Sequence, residues 1–429
     1  MTATPARHAA LRTLSAIGEG VLADHALETE AHDLSRRDRA WTQELVYGTL
    51  RLQGRLDHIL SQIARGEIDA DVRNILRLGV YQLLEMRSVP SYAAVSESVE
   101  LAKPVRKRAA GYVNGVLQKL VRERERIVFP NFDADPIAWL TTWGSHPEWL
   151  VRRWIGAYGI PATRDIVEAD NQRPPLYVHT LGAFDDAAAA LTGAGITFES
   201  VSGVPESMRL VEATPHEALV AARLIVQDPA ASLVTRYFSV DAGMLVADLC
   251  AAPGGKTAAL ATSSPAPAYI LAGDVAPVRA RRVAATVHRL GLSSVDVVTA
   301  DARRPPVESV DAVLLDAPCT GTGTLRRHPD ARWRVKEEHL ATLVPLQAEL
   351  IDAAARIVRP DGVLVYATCS LEAEENEAQV TAFLARHGEF RTEVSGSVDA
   401  RFLDANGWLR VLPHVHGFDG VFAARLRRG

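Results

Sequence analysis

From about residue 240 onward the sequence alternates short apolar runs with amphipathic stretches, and this alternation limits the fold more than any other feature. Residues 244–250, 269–275, 295–301, 310–318 and 362–369 read as strands. Residues 255–262, 277–290, 339–358 and 372–387 carry helical spacing. Apolar strands separated by helices imply a parallel sheet covered on both faces, a Rossmann-like α/β layout. Two final segments, 408–412 and 420–426, read as an antiparallel pair closing one edge.

The front of the chain has a different period. Residues 1–130 read as about five helices with short connections, a small all-α bundle. Ser35 with Asp38 resembles a capping box ahead of the run 39–63, and apolar faces follow along 72–86, 93–102 and 111–127. Residues 129–135 read as a linker. Short helices and strands then mix: helix 146–158, strand 176–180, helix 185–191, strand 196–200. The expected division is therefore 1–130, a small α+β subdomain within 131–238, and 239–429.

Composition sets outer bounds. With 429 residues, 48% of them hydrophobic, the chain can bury large cores and is not disordered as a whole. No apolar run of about 18 residues offers a membrane span. The segment around Arg7 lacks the apolar stretch of a signal peptide. Three cysteines make no disulfide framework, so a reducing cytoplasm is the default expectation. A net charge of −5 excludes a basic nucleic-acid coat, yet the charge is uneven. Residues 101–126 hold Lys103, Arg106, Lys107, Arg108, Lys119, Arg122, Arg124 and Arg126 against Glu123 and Glu125. Residues 326–336 hold Arg326, Arg327, Arg332, Arg334 and Lys336 against Asp330. Each run is either a solvated face or a phosphate-binding surface.

In open parallel sheets ligands bind beyond the carboxyl ends of the strands. Here those ends read Asp248-Leu-Cys-Ala-Ala-Pro-Gly-Gly-Lys-Thr257, Asp274, Asp301, Asp316-Ala-Pro-Cys-Thr-Gly-Thr-Gly323 and Tyr366-Ala-Thr-Cys-Ser370. All three cysteines lie on these ends. A phosphate-binding P-loop is one reading of 250–257, but Cys250 stands where the first glycine belongs, and that turn must wrap phosphate with backbone amides. A nucleoside cofactor without a polyphosphate fits better. Gly254 and Gly255 let the backbone approach a ligand, Asp274 is placed to accept ribose hydroxyls, and Asp301 to reach the base edge. S-adenosylmethionine has the matching parts. The alternative is that these aspartates only cap helices.

Cys250 reads as a small buried hydrophobe. Cys319 and Cys369 end the fourth and fifth strands, where a metal pair, a disulfide or catalysis are conceivable. No second CxxC and no histidine pattern completes a zinc site, so no metal is expected. Catalysis is the stronger option. A thiolate adding to carbon-6 of a pyrimidine makes carbon-5 nucleophilic toward a methyl sulfonium. A second group must help remove the carbon-5 proton.

Segments 248–257, 316–323 and 367–370 resemble the signature motifs of RNA cytosine-5 methyltransferases of the RsmB/NSUN family. Segments 321–333, 227–232 and 374–377 extend the resemblance, and Leu76-Arg-Leu-Gly-Val-Tyr-Gln-Leu-Leu84 with Tyr112-Val-Asn-Gly-Val-Leu117 resembles the NusB-like domain of one branch. The resemblance implies a Rossmann-like class I methyltransferase domain. It would be preceded by an all-α NusB-like RNA-binding domain and a small α+β RNA-binding subdomain. It implies methyl transfer from S-adenosylmethionine to carbon-5 of a 16S rRNA cytosine, the one conventionally numbered 967. It further implies that Cys369 is the nucleophile, that Cys319 assists release, and that Asp316 touches the target base or the methionine end of the cofactor. Cys250, Ala251, Ala252, Pro253, Gly254, Gly255, Lys256, Asp274, Asp301 and Asp316 would contact the cofactor. The expected partner is 16S rRNA or an early small-subunit particle, bound by a monomer away from any membrane. Three positions depart from the family pattern: Thr320 replaces serine, Tyr177 and His179 occupy an Arg-Val-Asn site, and 419–422 reads Asp-Gly-Val-Phe. The competing functions are a tRNA cytosine-5 methyltransferase and a non-catalytic RNA-binding assembly factor. Retention of both Cys319 and Cys369 argues against the second.

Overall fold

A computed structural model describes residues 4–106 and 108–429, so Lys107 of the basic run lies outside the described residues, as does the start of the chain before Thr4. The chain forms two compact units, residues 1–173 with 325–336 and residues 174–324 with 337–429.

The first unit is helical. Helices Pro5–Gly18, Ala23–Glu30, Arg36–Arg51, Gln53–Ile63, Ala70–Glu85, Ser91–Ala102 and Ala109–Glu123 pack around one core. Leu45, Ile75, Leu76, Leu78, Val113 and Leu117 are fully buried in it. The two earliest helices were not singled out within the stretch 1–130 that reads as helical; the first of them is alanine-rich. Ser35 does cap the third helix: its hydroxyl accepts the Asp38 N–H at 3.1 Å. The apolar run 39–63 is divided at Leu52 into two helices. Helices Pro136–Thr142 and Glu148–Asn171 complete this part, the latter bending at Gly159, whose φ is +80°. That angle is free of a Cβ penalty only for glycine.

Leu325–Lys336 belongs to this helical unit although it lies far along the sequence. Arg332 Nη1 donates to the carbonyls of Arg51 (2.7 Å) and Ser145 (3.0 Å) and to Asn171 Oδ1 (2.8 Å). Its Nη2 donates to the Asp170 carbonyl at 3.2 Å, and Trp333 Nε1 donates to the Leu50 carbonyl at 2.7 Å. The expectation of an RNA-facing patch over 326–336 is therefore corrected for two of its cations. Arg332 is 1% exposed and Arg326 is 8% exposed, and both spend donors on backbone carbonyls. In the other basic run Arg106 pairs with Asp69 and Lys103 with Glu100 on exposed faces.

The second unit contains two sheets. The smaller is antiparallel, built from β1 (Tyr177–Thr180), β2 (Thr197–Ser200), β3 (Ser207–Val211) and β4 (Leu224–Val226) in the order β2-β3-β1-β4. Helices Phe184–Gly193 and Pro215–Ala221 accompany it. The strands β3 and β4 are too short to show a clear alternation in sequence. The larger sheet holds β5 (Leu245–Asp248), β6 (Tyr269–Asp274), β7 (Val295–Thr299), β8 (Val310–Asp316), β9 (Val358–Thr368), β10 (Phe390–Thr392), β11 (Leu409–Val411) and β12 (Val421–Arg428). Its order is β10-β12-β9-β8-β5-β6-β7, with β11 paired to β12. Strands β5 to β9 are mutually parallel, and β12 runs antiparallel to β9. The chain winds outward from β5 in both directions, so the switch point lies between β5 and β8. Among the described residues no helix is long and apolar enough to cross a membrane.

Buried titratable groups make the two units respond differently to acid. In the helical unit His146 is 1% exposed, and burial, then the nearby Arg332 charge, pushes its pKa down to about 4. Between pH 6.5 and 4 the unfolded chain takes up a proton that the folded imidazole refuses, so stability falls as pH falls. From pH 7 to 5 the loss is about 2 kcal/mol. In the second unit burial pushes His179 down to about 4 as well, but it pushes Asp248 up to about 7. Asp248 regains its proton over the same interval and offsets the histidine. Hydrogen-exchange protection should therefore drop between pH 7 and 5 in the helical unit and hold in the large sheet, and His146→Gln should flatten the difference. Equal losses in both units would contradict this.

Candidate functional site

Strand β5 ends at Asp248 and the chain turns through 249–254 into the helix Gly255–Ala261. The turn is fastened to the sheet on both sides: Leu249 N–H donates to the Leu314 carbonyl at 3.1 Å and Ala251 N–H to the Gly273 carbonyl at 2.9 Å. Gly254 has φ +100°, and a Cβ there would lie 3.3 Å from Val283 Cα. A Cβ on Gly255 would meet Gln227 Oε1 at 2.8 Å. Glycine is thus required at 254 by the backbone, while at 255 it leaves room for the Gln227 side chain. Asp248 accepts the Thr257 hydroxyl at 2.7 Å through Oδ2, while its buried Oδ1 has no partner.

Asp274 ends β6 and is 2% exposed. Its Oδ1 accepts the Ala276 N–H at 3.0 Å, and Arg279 reaches its Oδ2 at 3.1 Å. Exposed Val275 and Val278 flank it. Asp301, beyond β7, is engaged more fully. It accepts the Arg303 N–H at 2.9 Å and the same guanidinium at 2.7–3.1 Å, which holds its carboxyl below the usual carboxylate range. Of the expected acidic set, Asp301 is the one that the structure ties to a cation on its own loop.

The residues after β8 and β9 converge. Cys319 Sγ lies 3.4 Å from Cys369 Sγ. Lys256 Nζ, from the first turn of the helix Gly255–Ala261, donates to Asp316 Oδ2 at 2.6 Å. Burial works against the Lys256 ammonium, but Asp316, with a contribution from the Cys369 sulfur, raises its pKa above the ordinary value. The Cys319 thiol is raised well above its ordinary value by its hydrogen bond to Cys369, then by burial and by the Cys369 and Glu375 charges. Cys250 stands apart from this pair. It packs against the core between the sheet and its helices, and burial, then Asp248, keeps it a thiol.

The two loops are held close by glycine. Gly323 N–H donates to the Cys369 carbonyl at 2.9 Å and Gly420 N–H to the Gly323 carbonyl at 2.7 Å. A Cβ on Gly323 would lie 2.3 Å from the Gly420 carbonyl oxygen. Thr320, a departure in the sequence, keeps its hydroxyl in use, donating to Glu375 and lying 3.1 Å from Ser370 Oγ. His179, another departure, is buried with Nδ1 2.9 Å from Ser232 Oγ. Sequence reasoning gave no role to Glu375 or Gln347. Glu375 lies inside a quoted motif, whereas Gln347 sits in the helix Glu338–Ile357 with no local signal.

The family described as 16S rRNA methyltransferase RsmB/F matches residues 239–427, the NusB family matches 4–122, and the ferredoxin-like domain of RsmF/B-like methyltransferases matches 146–217. A probable ribosomal RNA small subunit methyltransferase B from Synechocystis sp. is 36% identical over 95% of each chain. The ribosomal RNA small subunit methyltransferase B of Klebsiella pneumoniae is 34% identical over 97% of each chain. Among solved structures, the crystal structure of PH0851 covers 100% of both chains with a TM-score of 0.81 at 27% identity. A methyltransferase homolog from Pyrococcus horikoshii covers 67% of this chain and 96% of its own, with a TM-score of 0.56 at 25% identity.

Proposed function

Because the chain belongs to the RsmB/F family of 16S rRNA methyltransferases, we propose that it methylates carbon-5 of a cytosine through a covalent bond to Cys369. The observation that carries this reading is the pair of sulfurs 3.4 Å apart on adjacent strand ends, beside the Lys256–Asp316 ion pair.

The turn 250–256 and the Asp274 carboxylate fit an adenosyl cofactor. The glycines leave no side chain in the way, Asp274 is a carboxylate at the end of β6, and the exposed Val275 and Val278 offer an apolar face for a base. S-adenosylmethionine supplies an electrophilic methyl group on a sulfonium. Cys369, as thiolate, adds to carbon-6 of the cytosine, and the electron pair of the 5,6 double bond moves toward carbon-5. Negative charge spreads over the ring at this point. The Lys256 ammonium, held by Asp316 and partly shielded from water, stabilises that charge. Carbon-5 would then take the methyl group from a bound sulfonium, the methyl–sulfur bonding pair remaining on that sulfur as a neutral thioether.

Once Cys369 is bonded to carbon its sulfur is neutral, and the two Cys369 effects that raised the Cys319 pKa are gone. Cys319 can then give its proton to water and, as thiolate, accept the carbon-5 proton. The electron pair left behind re-forms the double bond and expels Cys369 as thiolate. The proposed division into 1–130, 131–238 and 239–429 assigns RNA binding to the first two parts. The target cytosine must leave any stack to reach the sulfurs.

Bisulfite sequencing of rRNA from a strain lacking this protein tests the reading. One 16S cytosine, the resemblance pointing to the one numbered 967, should change from protected to converted, and the chain supplied in trans should restore it. An unchanged 16S pattern, or a loss in tRNA instead, would overturn it.

A further inference from the structure

Glu375 is the most deeply placed carboxylate near the two sulfurs, 0% exposed, and the reaction outlined above does not use it. Three donors converge on it. Oε1 accepts the Thr320 N–H at 2.9 Å and Gln347 Nε2–H at 2.9 Å, and Oε2 accepts the Thr320 hydroxyl. Gln347 Nε2 also donates to the Pro318 carbonyl at 2.9 Å, so Pro318 and Thr320, on either side of Cys319, are both tied to one hub. Tyr366 Oη donates to the Glu375 carbonyl at 2.7 Å, which fixes the backbone that carries the carboxylate. Thr320 Oγ1 in turn lies 3.1 Å from the hydroxyl of Ser370, next to Cys369. Among the described residues no cation pairs with Glu375. A buried carboxylate without a counter-ion is costly, and it persists where the surrounding donors leave no cheaper acceptor.

We propose that Glu375 is a positioning residue that clamps the Pro318–Cys319–Thr320 turn against the Cys369 loop and makes Cys319 the proton-carrying member of the pair. The proposal rests on the reading that the two cysteines act together. The groups that face the Cys319 sulfur are Cys369, Glu375 and Tyr366, with Lys256 beyond Cys369. Of these, the Cys369 sulfur and the Glu375 carboxylate are the two whose negative charge raises the Cys319 thiol. In the proposed reaction Cys369 becomes a neutral thioether while Glu375 stays in place. Glu375 therefore sets how tightly Cys319 keeps its proton at the stage when that proton must move.

The test is Glu375→Gln in the full chain. An amide keeps the shape: its oxygen accepts from Thr320 N–H and Gln347, and the Thr320 hydroxyl can rotate to accept from its NH2. Only the charge is lost. The first readout needs no RNA. In a Cys369→Ser background, alkylation of Cys319 by iodoacetamide is followed against pH by peptide mass spectrometry, which separates Cys319 from Cys250. Glu375→Gln should move the midpoint down by about one unit, so that Cys319 reacts roughly tenfold faster at a fixed pH below it. An unchanged midpoint overturns the proposal. Gln347→Met provides the opposite sign: it removes a donor from the carboxylate and should raise the midpoint. A merely structural role predicts lower stability in both variants with no opposed shifts. With both cysteines present, Glu375→Gln should leave the KM for RNA unchanged and move the pH profile of release from the covalent complex down by about one unit, with no displacement of that profile counting against the proposal. If the midpoints shift as stated but the unaltered protein forms no 5-methylcytosine, the carbon-5 reading fails and the role of Glu375 toward Cys319 stands.

Discussion

Protein carrying Cys319→Ala, mixed with target-site RNA and methyl-labelled S-adenosylmethionine, should run on a denaturing gel as a labelled protein–RNA complex. Cys369→Ala should give no such complex. The two sulfurs are 3.4 Å apart but their surroundings differ. Cys369 lies within reach of the Lys256 charge, whereas Cys319 is the sulfur whose proton is retained by its neighbour, by burial and by Glu375. A nucleophile must be ionised before methyl transfer, and a proton acceptor is needed only after it. Removing Cys369 therefore abolishes the first bond, with a loss of turnover on the order of 10⁵-fold or more. Removing Cys319 permits addition and one methyl transfer, then stalls the chain on its product. Label in the trapped complex distinguishes a block after transfer from a block before it. If Cys369→Ala traps the adduct and Cys319→Ala does not, the roles are exchanged. If neither variant traps RNA and both only lose stability, the sulfurs are packing groups.

The large sheet was legible because its strands are apolar on both faces and bounded by helices. Strand β8 and the second half of β9 are buried enough to read as continuous runs, such as Val313, Leu314 and Leu315 in β8, all 0% exposed, whereas β7 is buried only at its first residue. The short β10 was not legible, since three residues, Phe390–Thr392, carry no period and gain their pairing from β12. The convergence of Cys319, Cys369 and Asp316 was legible, because they follow strand ends, where side chains at distant sequence positions share a rim. Lys256 joins them from the first turn of the helix after β5. The residues that support this rim were not legible. Gln347 reaches Pro318 from a helix whose pattern is satisfied by packing alone, and a helical glutamine gives no sign of facing inward until the fold is present. Asp301 shows the reverse. Its position after β7 suggested a free acceptor, but Arg303, two residues on, occupies the carboxylate.

Charge was the least legible property, and Arg332 measures why. In the sequence it is one of several basic residues in 326–336; in the structure it is a buried donor that closes the helical unit. Burial pulls its pKa down to about 9, which still leaves it charged at neutral pH. The charge is tolerated because three carbonyls and the Asn171 side chain receive its guanidinium. Arg332→Ala removes those donors together; the Arg51 carbonyl keeps the Ser145 hydroxyl, while each buried acceptor left unpaired costs about 1–3 kcal/mol. The side-chain cavity adds to this, while some acceptors regain partners through water. A net loss of about 4 kcal/mol is expected for the helical unit. Chemical denaturation should show its midpoint lowered, and hydrogen exchange should place the lost protection in residues 1–173. Arg334 is the internal control. It is exposed and pairs with Asp330 at 3.6 Å, so Arg334→Ala should change stability by no more than about 0.5 kcal/mol. If that residue meets phosphate, its loss should instead reduce the salt dependence of RNA binding by about one unit of slope. A change below about 1 kcal/mol for Arg332→Ala would return that side chain to the solvent-facing patch and leave the segment 325–336 without its anchor.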